Sequence, residues 1–583
     1  MECIIQARAR VKYSQQMQFG PLNTRRTLLG LGCALLLAWC VGLFARGYWT
    51  PDEPREADIA WRMSWQADKA VPLLAGDAFC EKPPLTYWLA ALPIQLLGTQ
   101  AWVARLPNLL YALITALGVG LLGARSLGKF AGWVAAATIS TFLLAYQVAI
   151  WLATDAPLLA AVAVALLGAY IGFYAATSQE RLRGYLLMHT ALAFGFMSKS
   201  AVAWMVPALA ILTLSIWERR WRELLRWELY FGLLVQAALI LTWVWFVYRG
   251  NDGLEHLKVF FWNNLVGRFA AVDAPPDLQY AAAHRNSPGK YLIELPMYLF
   301  PWTLLVIAAA RRAWRQRRAS LDDNRAVRFA LAASLPPLLV LSLAATARNI
   351  YLAPALPGVA LLVAWWAREI LPGPDTWDVR ALRATAAMLL LGVAVFAAVT
   401  FVLGTDFIYA AISLAGLSAA AILAIRAWAA AREHAVHAQW ALLLAYCALL
   451  IGPASQVYRR VDTWQDLAAI GRAVGRDAAG RPLVLFAPDE TTRAIIDMYA
   501  RPSVERIAGP LDAAGIDRIR SAAAAAPMSL FLVQLPSQSP QLPWRRRPPQ
   551  ADVPPLWQTA KIQMAKSYSL PNGRRYALLQ VTP

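Results

Sequence analysis

The chain has 583 residues, of which 59% are hydrophobic and only 15% are charged. Soluble domains carry about 25% charged residues, and apolar runs of roughly 20 residues, long enough to cross a bilayer, recur here from about residue 27 to residue 458. The composition excludes a soluble protein. The net charge of +20 lies mostly in short clusters between the apolar runs, a pattern that sets membrane topology. The sequence has no stripe of basic residues with interleaved aromatic residues of the kind that binds single-stranded nucleic acids. We therefore expect membrane lipid, and no nucleic acid, as a partner.

The N-terminal residues 1–26 are predicted to form a cytoplasmic tail. They carry five cations before the first apolar run, namely Arg8, Arg10, Lys12, Arg25 and Arg26. The run that follows is long and has no convincing small-residue cleavage site, so it is expected to remain as a membrane span rather than leave as a signal peptide.

Cationic loops stay in the cytoplasm and fix the direction of each crossing. Fitting spans between them predicts about thirteen transmembrane helices within residues 27–457. They lie near residues 27–46, 104–123, 130–150, 157–176, 185–198, 201–217, 228–248, 291–310, 328–346, 350–367, 382–403, 407–426 and 439–457. The apolar segment 85–97 is shorter than a full crossing and is predicted to be interfacial or re-entrant.

This topology places four regions on the outer side of the membrane. They are residues 47–103, the turn around Asp155, the loop 250–290 and residues 458–583. In the last region RPLVLFA (481–487) and MSLFLV (528–533) have the composition of strands, and 491–500 that of a helix. The predicted fold class is therefore an all-α polytopic membrane domain followed by a small extracytoplasmic α/β domain.

The first outer region contains two charged clusters stiffened by proline. One is YWTPDEPREAD (48–58), with the adjacent acids Asp52 and Glu53 beside Arg55, and the other is GDAFCEKPP (76–84), with Glu81 and Lys82. Charged residues in an outer loop are usually just solvated. Here the prolines restrict the backbone around the charges, and the neighbouring tryptophan and tyrosine residues are typical of the membrane interface. Both features favour a preorganised site at the interface, so Asp52 and Glu53 are candidate catalytic acids.

A further acid, Asp155, lies between two apolar runs in WLATDAP (151–157). One interpretation is a helix cap, with threonine or aspartate before the helix and proline in its first turn. The other is a functional acid, because ionisable groups near the hydrocarbon region are usually functional. Both remain open, and one residue can satisfy both.

Five cations are predicted on the same side of the membrane. They are Arg55, Lys82, Lys199, Arg268 and Arg348. A single cation there would extend toward lipid headgroups. Five facing one interface indicate a phosphate site, since arginine and lysine pair well with phosphate oxygens.

These segments resemble a known family. DEPR (52–55), FCEKPPL (79–85) followed by YW (87–88), and TD (154–155) are similar to the lipid A aminoarabinose transferases and, more broadly, to the protein O-mannosyltransferase-like branch of the glycosyltransferase C superfamily. FGFMSKS (194–200) and RNIYLAP (348–354) occupy comparable places. The resemblance extends to about residue 370, and its first outer segment is the specific part.

The resemblance implies an inverting glycosyltransferase with an active-site cavity at the outer face and a polyprenyl-phosphate sugar as donor. Asp52 and Asp155 would be essential acids. Lys82, Arg55 and Arg268 would contact the donor phosphate. The acceptor would be lipid A, another glycolipid or a protein, at the periplasmic face of the inner membrane.

Some positions match the family less well. Tyr351 and Glu81 are weaker correspondences, with Tyr351 a further donor-phosphate contact. Glu56 and Phe79 stand where the aminoarabinose pattern has tyrosines, which leaves both the sugar and the acceptor open.

No cofactor is required by the sequence, although a divalent metal remains open. The weak candidate ligands are Glu81, His256 and His284, and their spacing matches no ligand motif. Two other functions also remain open: transfer to serine or threonine of a protein, and transport of a lipid or sugar. Charges clustered at one face and the lack of a visible repeat favour an enzyme over a transporter.

Overall fold

The structure is a computed structural model that describes residues 21–266, 272, 287–317, 325–344, 348–403, 407–500, 504–509, 512–526, 528–541 and 562–581. Arg268 and His284, two of the predicted site residues, lie outside these ranges. The described chain forms a helical membrane part and a smaller C-terminal α/β part, which confirms the predicted fold class.

The first helix, α1, is followed by an irregular outer segment that carries the charged clusters. Its elements are α1 (Pro21–Phe44), α2 (Asp52–Trp65), β1 (Leu73–Leu74), β2 (Asp77–Ala78), α3 (Leu85–Leu97) and α4 (Ala101–Ala104). Strands β1 and β2 form a two-stranded antiparallel hairpin. Helix α3 has the length expected for a segment too short to cross a bilayer.

The rest of the membrane part is a series of helices. They are α5 (Leu106–Leu127), α6 (Lys129–Thr141), α7 (Leu143–Ile150), α8 (Asp155–Phe173), α9 (Ser178–Lys199), α10 (Val202–Trp217), α11 (Trp227–Phe231), α12 (Leu233–Arg249), α13 (Gly253–Lys258), α14 (Lys290–Tyr298), α15 (Thr303–Arg315), α16 (Arg325–Leu343), α17 (Leu356–Glu369), α18 (Thr376–Leu403), α19 (Phe407–Ala430), α20 (Ala435–Ile451) and α21 (Pro453–Gln465). Short 3-10 turns at Trp221–Leu225 and Asn349–Ala355 and a π turn at Val259–Leu265 connect some of them.

The chain is a multi-pass membrane protein, but the predicted count of thirteen spans is not confirmed. Among the described residues, 8 helices are long and apolar enough to cross a membrane, or up to 10 if each of two bent pairs is one span. The bent pairs are α6 with α7 and α14 with α15, with bends of 67° and 111°. Hydropathy measures apolar length and carries no information on such bends.

Helix α8 is the central helix of the bundle. In the most apolar 18-residue window of α8, 89% of the residues are buried, compared with 17% in that of α18 at the periphery. Such burial is expected for α8 because it is apolar all round. Glycines allow α8 and α9 to approach closely: a Cβ added at Gly184 would lie only 2.4 Å from the Gly172 nitrogen. The start of α8, with Asp155, is thereby held close to the end of α9, with Lys199.

A buried ion cluster around Glu53 joins the ends of four elements. Its carboxylate accepts hydrogen bonds from Arg46 at 2.5 and 3.0 Å and from Arg105 at 2.8 and 2.7 Å. The backbone nitrogens of Trp49 and Leu152 each donate to it at 2.8 Å. The side chains of Glu53 and both arginines are fully buried. Glu53 thus links the end of α1, the start of α2, the α4–α5 junction and the segment before α8.

The C-terminal part is a five-stranded sheet with helices on both faces. It consists of α22 (Leu467–Ala478), β3 (Leu483–Phe486), α23 (Glu490–Ala500), β4 (Val504–Ile507), α24 (Ala513–Ala525), β5 (Leu530–Leu535), β6 (Ile562–Ser569) and β7 (Arg575–Val581). The strand order is β4-β3-β5-β7-β6, with β3 parallel to β4 and β5 and the remaining pairs antiparallel. The strands predicted at 481–487 and 528–533 and the helix at 491–500 are present.

One face of this sheet is joined to the membrane part by a shared apolar core. Ala57 and Ala60 of α2 pack in the same buried cluster as Ile495 of α23 and Leu483 of β3. The C-terminal part therefore rests on the helix that carries Asp52 and Glu56.

Removal of the Glu53 charge tests the buried cluster. For Glu53→Gln we expect the free energy of unfolding to fall by about 3–5 kcal/mol, because two buried guanidinium groups lose their counter-charge. The measurement is thermal unfolding of the purified protein in detergent. The control is Glu490→Gln. The Glu490 side chain is 58% exposed, and removing its charge should lower the free energy of unfolding by about 1 kcal/mol or less. Equal stability of wild type and Glu53→Gln would contradict the assignment.

The same cluster predicts a pH dependence. Burial raises the pKa of Glu53, but Arg105 and Arg46 outweigh burial and lower the pKa to about 2. The usual value for glutamate is about 4.3, so the stabilisation is fully present above that pH and is lost as the pH falls through about 2. The melting temperature of Glu53→Gln should consequently fall less than that of wild type in acid.

Candidate active site

Helix α2 presents three charged side chains on one face because Asp52, Arg55 and Glu56 are spaced three and four residues apart. Acids in its first turn also suit the positive end of the helix dipole. Asp52 and Glu56 each pair with a cation from another part of the chain, and these pairs define the candidate site.

Asp52 pairs with Arg348, which lies 296 residues away in sequence, at 3.2 Å between Oδ1 and Nη1. Both side chains are partly exposed. The Tyr291 hydroxyl donates to the Arg348 carbonyl oxygen at 2.6 Å and so fixes the backbone there. Burial alone would lower the pKa of Arg348, but Asp52, Tyr351 and Asp155 together outweigh burial and raise it above its usual value. Arg348 is therefore a fixed cation at the mouth of the site.

Asp155 at the start of α8 forms an ion pair with Lys199 at the end of α9. The Lys199 ammonium also lies 4.6 Å from the ring centroid of Tyr351, a cation–π contact. The side chain of Thr154, which precedes α8, makes no capping hydrogen bond. Asp155 thus forms an ion pair at the start of α8, and its role as a functional acid stays a prediction.

Lys82 pairs with Glu56 and lies close enough to Glu81 and Asp155 for both to act on its charge. Burial would lower the pKa of Lys82, but these carboxylates, Glu56 first, outweigh burial and raise it. Lys82 is thus held as an ammonium group by Glu56, and Asp155 of the second pair also acts on its charge. Asp155 acts on Arg348 as well, so the three ion pairs adjoin.

Two predicted residues have other partners. Glu53 was predicted as a catalytic acid, but both of its oxygens are occupied by the buried cluster, and no water-accessible edge remains. We therefore assign it a positioning role. Arg55, predicted to contact phosphate, pairs at 2.9 Å with Glu490 of the C-terminal part and lies 5.9 Å from the ring centroid of Phe79.

The metal candidates do not converge in the described part of the chain, where no group of three or more histidine, cysteine or carboxylate side chains could hold a metal ion. Glu81 accepts a hydrogen bond at its backbone oxygen from Asn264 at 2.5 Å. His256 lies in α13, while His284 is outside the described residues.

The C-terminal part reaches the site through ion pairs with the first outer segment. Arg62 of α2 bonds both Asp58 at 3.0 Å and Asp497 of α23 at 2.5 Å. Asp77 of the hairpin pairs with two further arginines of the C-terminal part, Arg493 and Arg506. These contacts hold α2 from the side opposite to the membrane part.

Sequence reasoning missed Glu56 and Lys199 as partners within the site. Glu56 was noted only as a departure from the family pattern, although its position four residues after Asp52 on a helix was an available signal. Lys199 was counted among the cations without a partner, and no local sequence signal pairs it with Asp155.

The chain is a multi-pass membrane protein in which three ion pairs from distant parts of the sequence adjoin. Over 95% of the chain it matches the crystal structure of ArnT from Cupriavidus metallidurans bound to undecaprenyl phosphate, with a TM-score of 0.68, 17% identity and 98% of that chain covered. The apo structure of the same protein matches with a TM-score of 0.68 and 16% identity, over 96% of this chain and 98% of that one. At this identity the likeness establishes the fold.

Comparisons of the sequence find similarity to proteins of the same kind. Residues 81–246 match the family model of dolichyl-phosphate-mannose-protein mannosyltransferases. An undecaprenyl phosphate-alpha-4-amino-4-deoxy-L-arabinose arabinosyl transferase of Pseudomonas aeruginosa (strain UCBPP-PA14) is 29% identical over 59% of this chain and 60% of its own length. The protein of that name from Edwardsiella ictaluri is 29% identical over 64% of each chain. The chain thus spans less than two thirds of these relatives. The resemblance to the lipid A aminoarabinose transferases is confirmed.

A double-mutant cycle tests the Asp155–Lys199 pair. We expect Asp155→Asn and Lys199→Met to be coupled by about 1–3 kcal/mol in the free energy of unfolding, since each single change leaves a nearly buried charge unpaired. The Arg125–Glu180 pair, with side chains 58% and 33% exposed, is the matched control. Its cycle of Glu180→Gln and Arg125→Met should give about 0.5 kcal/mol or less. Additive effects at Asp155 and Lys199 would show that the two side chains are not paired.

Proposed function

We propose that this chain is an inverting glycosyltransferase that uses a polyprenyl-phosphate sugar as donor at the periplasmic face of the inner membrane. The lead reaction is transfer of 4-amino-4-deoxy-L-arabinose to lipid A. The observation that carries the proposal is the convergence of Asp52–Arg348, Glu56–Lys82 and Asp155–Lys199 from distant parts of the chain. The names of the relatives supply the donor class.

The proposal includes the orientation of the chain. Residues 1–26 form a cytoplasmic tail, 27–457 the transmembrane glycosyltransferase domain, and 458–583 an extracytoplasmic domain. The outer regions 47–103 and 250–290 then lie on the periplasmic side with the site. The contacts of α2 with α23 support placing the first and last of these outer regions on one side.

The chemical demand of the reaction is stabilisation of the leaving group. The bond between the anomeric carbon and the phosphate oxygen breaks, and the polyprenyl phosphate gains negative charge as it leaves. Fixed cations aimed at that phosphate lower the barrier. Lys82 is the central candidate because it is only partly exposed, remains an ammonium group and lies close enough to Asp155 of the neighbouring pair for that carboxylate to act on its charge. Arg348 is a second cation on which Asp155 acts.

The acceptor determines the role of the acids. If the acceptor is a hydroxyl, Asp52 is placed to take its proton, because its side chain is a quarter exposed and its one cation partner is half exposed. If the acceptor is a phosphate of lipid A, the attacking oxygen is already anionic and needs no base. Asp52 and Asp155 then orient the sugar and the cations around it.

The remaining predicted contacts complete the proposed site. Arg55 exchanges its exposed Glu490 partner for the donor phosphate at small energetic cost. Tyr351 lies beneath the Lys199 ammonium and lines the site from the opposite side. Arg268 stays a proposed phosphate contact.

Transfer to a serine or threonine of a protein is the second candidate, favoured by the match of residues 81–246 to the protein mannosyltransferase model. Comparison of a strain that expresses the gene with one that lacks it distinguishes transfer to lipid A from transfer to a protein. We expect lipid A from the expressing strain to carry the mass increment of an aminopentose in mass spectrometry, with outer-face proteins unchanged. A sugar increment on proteins alone would support the second candidate.

Lys82 is the most direct test of the leaving-group role. We expect Lys82→Ala to lower kcat/KM with the polyprenyl-phosphate donor by at least about 100-fold, and Lys82→Arg to recover part of the loss. The control is Lys129→Ala, an exposed cation at the start of α6. Wild-type rates for Lys82→Ala in membranes containing donor and acceptor would remove Lys82 from the site.

A further inference from the structure

The segment 217–231 lies at the end of the helical bundle away from the candidate site. It runs from the end of α10 through the 3-10 turn Trp221–Leu225 to the short helix α11. It packs against the start of α9, where Arg181 pairs with two of its acids. The other end of α9 carries Lys199, 22 residues from the start of the helix and therefore roughly 30 Å away. The hydrocarbon core of a bilayer is about 30 Å thick, so the segment lies at the membrane interface opposite to the site.

The acids of this segment are turned toward the bundle and already have partners. Glu223 and Glu228 are each only 3% exposed, and Arg181 pairs with them at 3.6 and 3.4 Å. Glu218 pairs with Arg328 of α16 at 2.6 Å. These acids hold the segment on the bundle, and their charge is neutralised there.

Two exposed arginines of the same segment are not neutralised. Arg219 and Arg222 are both exposed, and neither forms an ion pair with any residue that the structure describes. Side chains three residues apart in a 3-10 turn lie on the same face, so Arg222 shares its face with Leu225, which is 82% exposed. The outward face of the turn thus combines a free positive charge with an exposed apolar side chain.

Large apolar side chains surround these arginines. Six of them within the segment are between 44% and 82% exposed, namely Trp217, Trp221, Leu225, Trp227, Tyr230 and Phe231. Exposed apolar side chains gathered in this way mark a surface that contacts protein or membrane, and tryptophan and tyrosine are enriched where a membrane meets water. A partner for this surface must offer both an apolar phase and negative charge.

We propose that the segment 217–231 forms a binding site for an anionic phospholipid. Arg219 and Arg222 bind the headgroup, as basic clusters at a membrane surface do, while Trp221 and Leu225 contact the acyl chains. A soluble acidic partner would satisfy the arginines but leave the apolar side chains in water. A zwitterionic lipid would bring a cation of its own to the arginines. The site lies away from the candidate active site and does not depend on the proposed function.

Competition between two lipids tests the proposal. The full chain in detergent is mixed with equal amounts of phosphatidylglycerol and phosphatidylcholine that have the same acyl chains, and the bound lipid is measured by native mass spectrometry. Wild type should retain phosphatidylglycerol at least about 10-fold more than phosphatidylcholine, because each arginine near a headgroup contributes about 5-fold.

Removal of the two charges should abolish this preference. We expect the double variant Arg219→Asn with Arg222→Gln to lower it to about 2-fold or less. Asparagine is chosen at position 219 because the backbone there is left-handed, with a φ of 54°, a conformation that asparagine tolerates.

Three controls separate this site from general lipid binding. Arg432→Gln removes an exposed arginine in the turn between α19 and α20 and should keep the wild-type preference. Trp221→Ser combined with Leu225→Ser should weaken both lipids by a similar factor and leave the preference unchanged, because only apolar contact is lost. Inorganic phosphate at the concentration of the lipids should displace neither of them, since it has no acyl chains.

Other results would overturn the proposal. Equal retention of the two lipids by wild type contradicts it, as does a double variant that keeps the wild-type preference. Loss of the preference in Lys82→Ala alone would assign the lipid to the candidate active site instead. Displacement of phosphatidylglycerol by inorganic phosphate would show that the surface recognises a free anion and not a lipid.

Wild type decides the matter if the double variant does not fold. In about 1 M ammonium acetate the screening length is about 3 Å, so the preference for phosphatidylglycerol should fall to about 2-fold or less. A preference that persists at this ionic strength contradicts a headgroup bound by exposed arginines.

Discussion

The buried ion cluster around the Glu53 carboxylate is the interaction on which the candidate site depends. It joins Arg46 at the end of α1, Arg105 between α4 and α5, and the backbone of Leu152 just before α8. Ion pairs buried this completely are stable only when every partner is in place. The cluster therefore fixes the start of α2, with Asp52, relative to the start of α8, with Asp155. Side chains placed on two helices joined in this way keep their mutual geometry.

The site built on this frame contains cations that already have partners. Lys82, Lys199 and Arg348 are each paired with one acid, so an anionic ligand must exchange partners with at least one of them. The pairs differ in how easily they exchange. Lys199 and Asp155 are nearly buried, with side chains 15% and 5% exposed, whereas Arg348 is 50% exposed. An exposed pair contributes little energy and is readily opened, and a buried pair is retained. Arg348 is thus suited to capture the ligand, and Lys199 to hold Asp155 in place.

The sequence predicted the membrane fold, the C-terminal α/β part and the acids and cations of the outer segments, because apolar length, cationic loops and strand composition are local signals. It did not predict the pairs, since Asp52 and Arg348 are 296 residues apart and meet only through packing. The partners of Glu53 were not predictable for the same reason: beside Asp52 it has the same local pattern, and only the folded chain brings Arg105 against it. The span count stays unconfirmed: each bent pair, α6 with α7 and α14 with α15, coincides with one predicted span, whereas the predicted spans near 27–46 and 201–217 coincide with apolar helices of fewer than 18 residues.

The most direct test of the central claim is the proximity of Asp52 and Arg348 in the native membrane. In a background with the native cysteines replaced by serine, Asp52→Cys and Arg348→Cys are introduced singly and together. Both single variants should react with a membrane-impermeant maleimide added to the periplasmic side, and a short bifunctional maleimide should join the two positions in the double variant. Labelling of the two positions from opposite sides of the membrane would contradict the account, because the acids and cations could not then form one site.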